Sequence, residues 1–146
     1  TEYESLLAKM PNNASVLNNL AYILAENDEK LADAMEYAKQ AHQTNSNNPD
    51  LMDTYAFVLF KNGKYSEAAT LLQSALQQYE AQQAVITPDV YEHLGMVKEK
   101  LGAKDEAAAA YKQALEVGKD TLSEKAKERI QASVERVSQQ EKAAEK

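Results

Sequence analysis

Catalysis and metal binding need titratable or nucleophilic side chains held close together, and this sequence offers few. Its two histidines, His42 and His93, lie 51 positions apart on different predicted helices. With no cysteine there is no thiol nucleophile, no thiolate metal site and no disulfide framework. The acidic pairs Asp28-Glu29 and Asp105-Glu106 fall at predicted turns and helix starts. Solvation and capping explain them better than acid–base chemistry does. No H-E-x-x-H, G-x-S-x-G, phosphate-cradling loop or glycine-rich nucleotide motif occurs. His42, near a predicted helix C-terminus that favours a partly charged imidazole, is read as a solvent-side residue. The expectation is a protein with no catalytic residues, no cofactor and no metal.

Composition points to what surrounds these groups. The chain has 146 residues, 23 acidic against 16 basic, for a formal charge of −7. Phosphate recognition needs clustered Lys and Arg, so no nucleic-acid role is expected. No apolar run approaches the ~18 residues of a membrane span, so no membrane insertion is expected either. The 44% hydrophobic content suffices for a core, and only four Gly and three Pro interrupt a mixture rich in Ala, Leu, Glu, Lys and Gln. These are helix formers, and an all-α fold is predicted. The chain begins at Thr1 rather than Met and is read as a piece of a longer protein, so the lack of a targeting segment carries no weight.

The helices come in a repeating pattern. Leu17-x-x-Leu20-Ala21-x-x-Leu24, Met52-x-x-Tyr55-Ala56-x-x-Leu59 and Tyr91-x-x-Leu94-Gly95-x-x-Lys98 share two large residues three apart and a small one beside the second. This is one helix face on which the small residue admits a neighbouring backbone. Each block is followed by a second one: Ala34-x-x-x-Ala38-x-x-Ala41, Ala68-x-x-x-Leu72-x-x-Ala75 and Ala107-x-x-x-Tyr111-x-x-Ala114. Leu20 and Tyr55 are 35 residues apart, Tyr55 and Leu94 39. Asn48-Pro49-Asp50 and Thr87-Pro88-Asp89 read as N-cap, first helical Pro and an acid facing the helix dipole. Gly63 and Gly102 mark helix ends. The first inter-helix turn, around Glu26-Asn27-Asp28-Glu29, lacks Gly and carries an extra residue, so a less regular turn is expected there.

The pattern W-x2-L-G-x2-Y…A-x3-F…P at a period near 34 is that of the tetratricopeptide repeat, and this chain resembles three tandem copies of it. The second copy, from Met52 to Ala75, matches best, with Lys61-Asn62-Gly63-Lys64-Tyr65-Ser66-Glu67-Ala68-Ala69 similar to the family's inter-helix turn. Trp is missing from every copy, and Lys98 stands where Tyr or Leu is usual. The implied fold is an α-solenoid of helical hairpins, a right-handed superhelix with a C-terminal capping helix. Residues 1–11 are read as the closing helix of a truncated preceding repeat, 12–48 as the first repeat and 49–87 as the second, whose closing helix overruns by about a turn. Residues 88–117 form the third repeat and 118–146 the capping helix with a frayed tail from Gln139. Leu122, Ala126, Ile130, Val134 and Val137 share one face of that last helix, while a coiled-coil or partner helix is the alternative reading.

In the family the other face of each opening helix lines a concave groove. Carried over, the groove positions are Asn18, Asn19, Tyr22, Ala25 and Glu26; Asp53, Thr54, Phe57, Phe60 and Lys61; Glu92, His93, Met96, Glu99 and Lys100. Ser15, Asp50 and Asp89 stand one turn earlier. Tyr55, Leu59, Leu72, Leu94 and Tyr111 occupy core positions. A solvent-facing surface has no packing reason to carry Tyr22, Phe57, Phe60 and Met96 in register: either a segment or neighbouring helix of the same chain covers them or a partner does, and the partner is the favoured reading. Glu26, Asp50, Asp53, Asp89, Glu92 and Glu99 against Lys61 and Lys100 leave the groove a balance of −4. The expected partner is therefore a protein or peptide segment that is basic and amphipathic. Cochaperone members grip free C-terminal carboxylates with Lys, Arg and Asn, where this chain has Asn18, Tyr22, Thr54, Asp89 and His93, so that activity is not expected. The resemblance implies a protein-interaction scaffold. A regulatory or targeting arm of a larger enzyme and a self-association scaffold are the alternatives. The Asn-rich joins Asn12-Asn13 and Asn47-Asn48 resemble bacterial repeats, which leaves cytoplasm or periplasm open.

Overall fold

The computed structural model describes residues 1–145, with side chains for all of them except Glu141. Eight helices lie within them: α1 (Glu2–Lys9), α2 (Ala14–Glu26), α3 (Leu31–Thr44), α4 (Pro49–Lys61), α5 (Tyr65–Ala81), α6 (Pro88–Lys100), α7 (Lys104–Val117) and α8 (Glu124–Ala144). They divide into two compact units, Thr1–Ala81 and Gln82–Lys146.

In the first unit α2 pairs with α3 and α4 with α5, and α4 also packs on α2 and α3. The buried residues of α2 are Val16, Leu17, Leu20, Ala21, Leu24 and Ala25, an i, i+4 ladder two residues wide. The partner helix α3 buries only Ala34, Ala38 and Ala41, whose small size lets the two backbones approach closely. Nine residues of α4 are buried, among them Leu51, Met52, Ala56, Val58 and Leu59, as expected of a helix covered on most sides. Short α1 buries none of its residues. It is held by a Thr1–Glu4 capping box and by Lys30 Nζ at 3.2 Å from Glu4.

The three hairpin turns are built alike. Glu29 N donates to Leu24 O at 2.8 Å, Lys64 N to Leu59 O at 2.9 Å and Ala103 N to Lys98 O at 2.9 Å, each a six-residue closure over a left-handed residue. That residue is Gly63 (φ 77) and Gly102 (φ 79) in two turns and Asp28 (φ 55) in the first. The extra residue of the first turn is Lys30, also left-handed at φ 42, so the irregularity expected there is real and is carried by backbone that a side chain rarely adopts. Asn48 caps α4 by accepting from Asp50 N at 2.9 Å. Thr87 holds the same place before α6 with extended backbone but makes no side-chain cap bond, contrary to the reading of the sequence. Helix α5 has 17 residues against 14 in α3 and in α7. Its last turn places buried Tyr79 so that its hydroxyl donates to the Asp50 carboxylate.

In the second unit α6 pairs with α7, and α8 packs on α7. Ile130, Val134 and Val137 of α8 are buried with Ala107, Ala108, Tyr111 and Ala114 of α7, which is the expected capping face. Ser123 opens α8 by accepting from Ala126 N at 3.1 Å. The helix runs on to Ala144, and Lys146 lies outside the described residues. Two charge-assisted forks tie α8 to α6. Arg129 donates to both oxygens of Glu92 at 2.9 and 3.0 Å, and Arg136 to both of Glu99 at 2.8 Å. Tyr111 also donates to Glu99, at 2.9 Å, so one carboxylate joins three helices. The Arg136 bond holds the Glu99 carboxyl below its ordinary value against the opposing effect of burial, with the Tyr111 bond assisting. Burial, then the bond to Glu99, pushes the Tyr111 phenol up.

Two measurements follow from this unit. A Cβ at Gly95 would lie 2.6 Å from the ring of Tyr111, which is 1% exposed and has no room to retreat. Gly95→Ala is expected to lower stability in urea unfolding by about 1–3 kcal/mol, and to cost less in a Tyr111→Ala background. Glu99 has a folded-state pKa below its unfolded 4.5, so its stabilisation is complete above that pH and is lost as pH falls through the lower folded value. The melting-temperature gap between wild type and Glu99→Gln should therefore be widest near neutral pH and shrink below pH 4.5. A gap independent of pH contradicts the assigned charge state.

Candidate functional site

On the α2–α4 face of the first unit, the structure brings several sequence-selected residues together and buries others. Along α2, Asn18 and Tyr22 are half-buried one turn apart, Asn19 and Glu26 are exposed, and Ala25 is fully buried. Along α4, Asp53, Thr54 and Phe57 are only 8%, 7% and 6% exposed, while Phe60 and Lys61 are half-buried. The Tyr22 and Phe57 rings form a tilted pair with centroids 5.3 Å apart. Lys61 Nζ sits 2.8 Å from Asp28 and 5.9 Å from the Phe57 centroid, so the cation is shared between a carboxylate and a ring face. Phe60 turns to Tyr65 at the start of α5, at 5.6 Å. Phe57 is thus floor and not free surface, which corrects the solvent-facing placement read from the helix register. Beside exposed Asn19 and Glu26, half-buried Tyr22, Phe60 and Lys61 remain as the large side chains of the set within reach of a partner. The Asn18 Oδ1 atom is buried with no hydrogen-bond partner, an uncommon state for a carboxamide.

The α6 positions have a different fate. Glu92 and Glu99 are the two carboxylates already held by Arg129 and Arg136. Half-buried Met96 packs against the α7–α8 cluster, His93 is 6% exposed, and only Lys100 and Asp89 are exposed. The balance of −4 expected over the groove positions therefore omits two arginines that lie on two of its acids. A signal for them was present: Arg129 and Arg136 follow Glu92 and Glu99 by 37 residues each, one repeat period, so the same register repeats on the next opening helix. Asp50 is likewise engaged, by the Tyr79 hydroxyl.

Among the described residues no group of three or more His, Asp or Glu is placed to hold a metal ion, and no helix is long and apolar enough to cross a membrane. His42 is half-buried instead of solvent-side: its ring lies 5.5 Å from that of Tyr55, and its Nε2 is buried without a hydrogen-bond partner.

Comparison with known proteins agrees with this architecture. Residues 48–120 match the family model for the tetratricopeptide repeat. The chain is 34% identical over 74 residues to TPR repeat-containing protein PA4667 of Pseudomonas aeruginosa, a match covering 51% of this chain and 12% of that protein. Among solved structures, the first TPR domain of human RPAP3 superposes with a TM-score of 0.73 at 18% identity, over 92% of this chain and 97% of that one. The first TPR of Spaghetti (RPAP3) bound to the HSP90 peptide SRMEEVD gives a TM-score of 0.68 at 18% identity, over 86% of this chain and 90% of that one. Three tandem helical hairpins with small residues at their crossings, and a family model matching half of the chain, lead to one conclusion: the chain belongs to the tetratricopeptide repeat family.

Proposed function

We propose that this chain is a protein-interaction module that binds a segment of a partner protein, peptide or helix, on the α2–α4 face of its first unit. Tetratricopeptide repeats generally mediate protein–protein contacts, and a structural neighbour is seen with a peptide bound. The observation that carries the reading is the ordered ring face: half-buried Tyr22 lies tilted on Phe57 with centroids 5.3 Å apart, and half-buried Phe60 stands one turn further along α4. Tyr22 and Phe60 supply rings on which an apolar anchor can rest.

The partner that suits this face is basic and amphipathic. Residues 1–81 contain eleven acidic and five basic side chains, whereas residues 82–146 contain twelve and eleven. The negative potential belongs to the first unit, and it speeds the encounter with a cationic segment while the rings supply most of the affinity. Glu92 and Glu99 of α6, paired with Arg129 and Arg136, contribute little to that attraction.

Two substitutions separate binding from folding. In calorimetric titration against a synthetic amphipathic helix of Leu, Phe, Lys and Arg, Tyr22→Ala with Phe60→Ala is expected to cost about 1–3 kcal/mol of binding. Phe57→Ala should instead lower stability by about 3–5 kcal/mol, as deletion of a buried ring does. The peptide SRMEEVD, acidic and ending in a free carboxylate, should show no saturable binding. Undiminished binding by the Tyr22/Phe60 variant, or tight binding of SRMEEVD, contradicts the proposal.

A further inference from the structure

Apart from the α2–α4 face, the first unit holds an open cavity of about 420 Å³ between α4 and α5. Its apolar walls are the Tyr55 ring, Leu59 and Leu71, and its polar edge is Ser66, Glu67, Thr70 and Ser74 of α5. Each hydroxyl has a single proton to give. Thr70 donates its proton to Ser66 O and Ser74 donates its own to Thr70 O, both at 3.1 Å and both within the helix. Both oxygens are left with lone pairs alone, and the exposed Glu67 carboxylate adds only acceptors and a negative charge. Acids on two helices act on this place: burial first, then Glu67 of α5 and Glu36 of α3, push the Tyr55 phenol up.

An edge rich in acceptors and carrying one carboxylate, beside an apolar wall, favours an occupant with N–H donors, positive charge and an aliphatic stem. Arginine and lysine side chains have that form, since they bury their methylenes and keep the charged head at the rim. From Glu67 to Ser74 the edge runs roughly 10 Å along α5, the reach of a short peptide segment. The excess of acids in residues 1–81 favours the same charge. We propose that this cavity is a docking socket for an arginine- or lysine-bearing segment of a partner protein, a second contact site independent of the α2–α4 face.

The test uses the full chain, isotope-labelled, in NMR titrations with acetyl-Ala-Leu-Arg-Leu-Ala-amide and its norleucine and glutamate counterparts. The arginine peptide is expected to shift the amides of Glu67 to Ser74 saturably, the norleucine peptide more weakly and the glutamate peptide not at all. Glu67→Gln should weaken the arginine peptide about two- to fivefold, the range of an exposed ion pair, and Glu67→Lys should abolish its binding. Thr70→Val, which keeps the shape and removes an acceptor, should also weaken it, and unchanged amide shifts elsewhere show that each variant is folded. Equal binding of the three peptides, or full affinity in Glu67→Lys, overturns the socket. So does binding of n-butylamine as tight as that of the peptide, which would make this a small-amine site. Shifts centred on Tyr22 and Phe60 overturn it too, while leaving the α2–α4 reading in place.

Discussion

Helices can stack into hairpins here only because small side chains stand where two of them cross. Ala21 and Ala56 are fully buried at one such position on α2 and α4, and Gly95 takes the same place on α6, where even a methyl group would enter the Tyr111 ring. Ala34, Ala38, Ala68, Ala75, Ala107 and Ala114 answer from the closing helices, each at most 1% exposed. A larger residue at any of these points would push a helix outward and displace the ring pairs and ion pairs that depend on its position. Close packing of alanines, and of Gly95 on α6, thus lets the larger buried side chains, among them Leu17, Leu72, Tyr111 and Ile130, meet around the crossings.

That packing also decides which surface residues can act. Close approach brings Tyr22 onto Phe57 and sets Lys61 between Asp28 and the ring, so the first unit presents an ordered face. In the second unit the same stacking carries α8 to α6, where its arginines take up two carboxylates. Exposed ion pairs contribute little to stability, on the order of 1 kcal/mol or less each. Their larger consequence is electrostatic, because they cancel charge on α6 and leave the first unit as the acidic part of the molecule.

Much of this was legible in the residues. Hairpin pairing, the longer α5, the left-handed Gly63 and Gly102, and the apolar stripe of α8 all follow from local spacing and from backbone rules, which single sequences express directly. Leu59, Leu72 and Tyr111 are buried as expected, whereas Tyr55 and Leu94 are only half-buried. The candidate face was harder to read. Helix register tells which way Phe57 points relative to its own axis but not that it lies deep enough to be 6% exposed. Arg129 and Arg136 lie off the apolar stripe of α8, and their partners, 37 residues upstream, meet them only in the folded chain. His42 shows the same limit: a helix end suggested solvent, and the Tyr55 ring of the next helix covers it.

The central claim is that the α2–α4 face of the first unit takes a basic amphipathic segment while the acids of α6 stay with α8. Amide hydrogen exchange of the full chain, with and without a saturating basic amphipathic peptide, tests it most directly. The account predicts slowed exchange confined to α2 and α4, with the amides of α6 and α8 unchanged. Protection centred on α6, accompanied by faster exchange in α8 as its arginines are displaced, would contradict it.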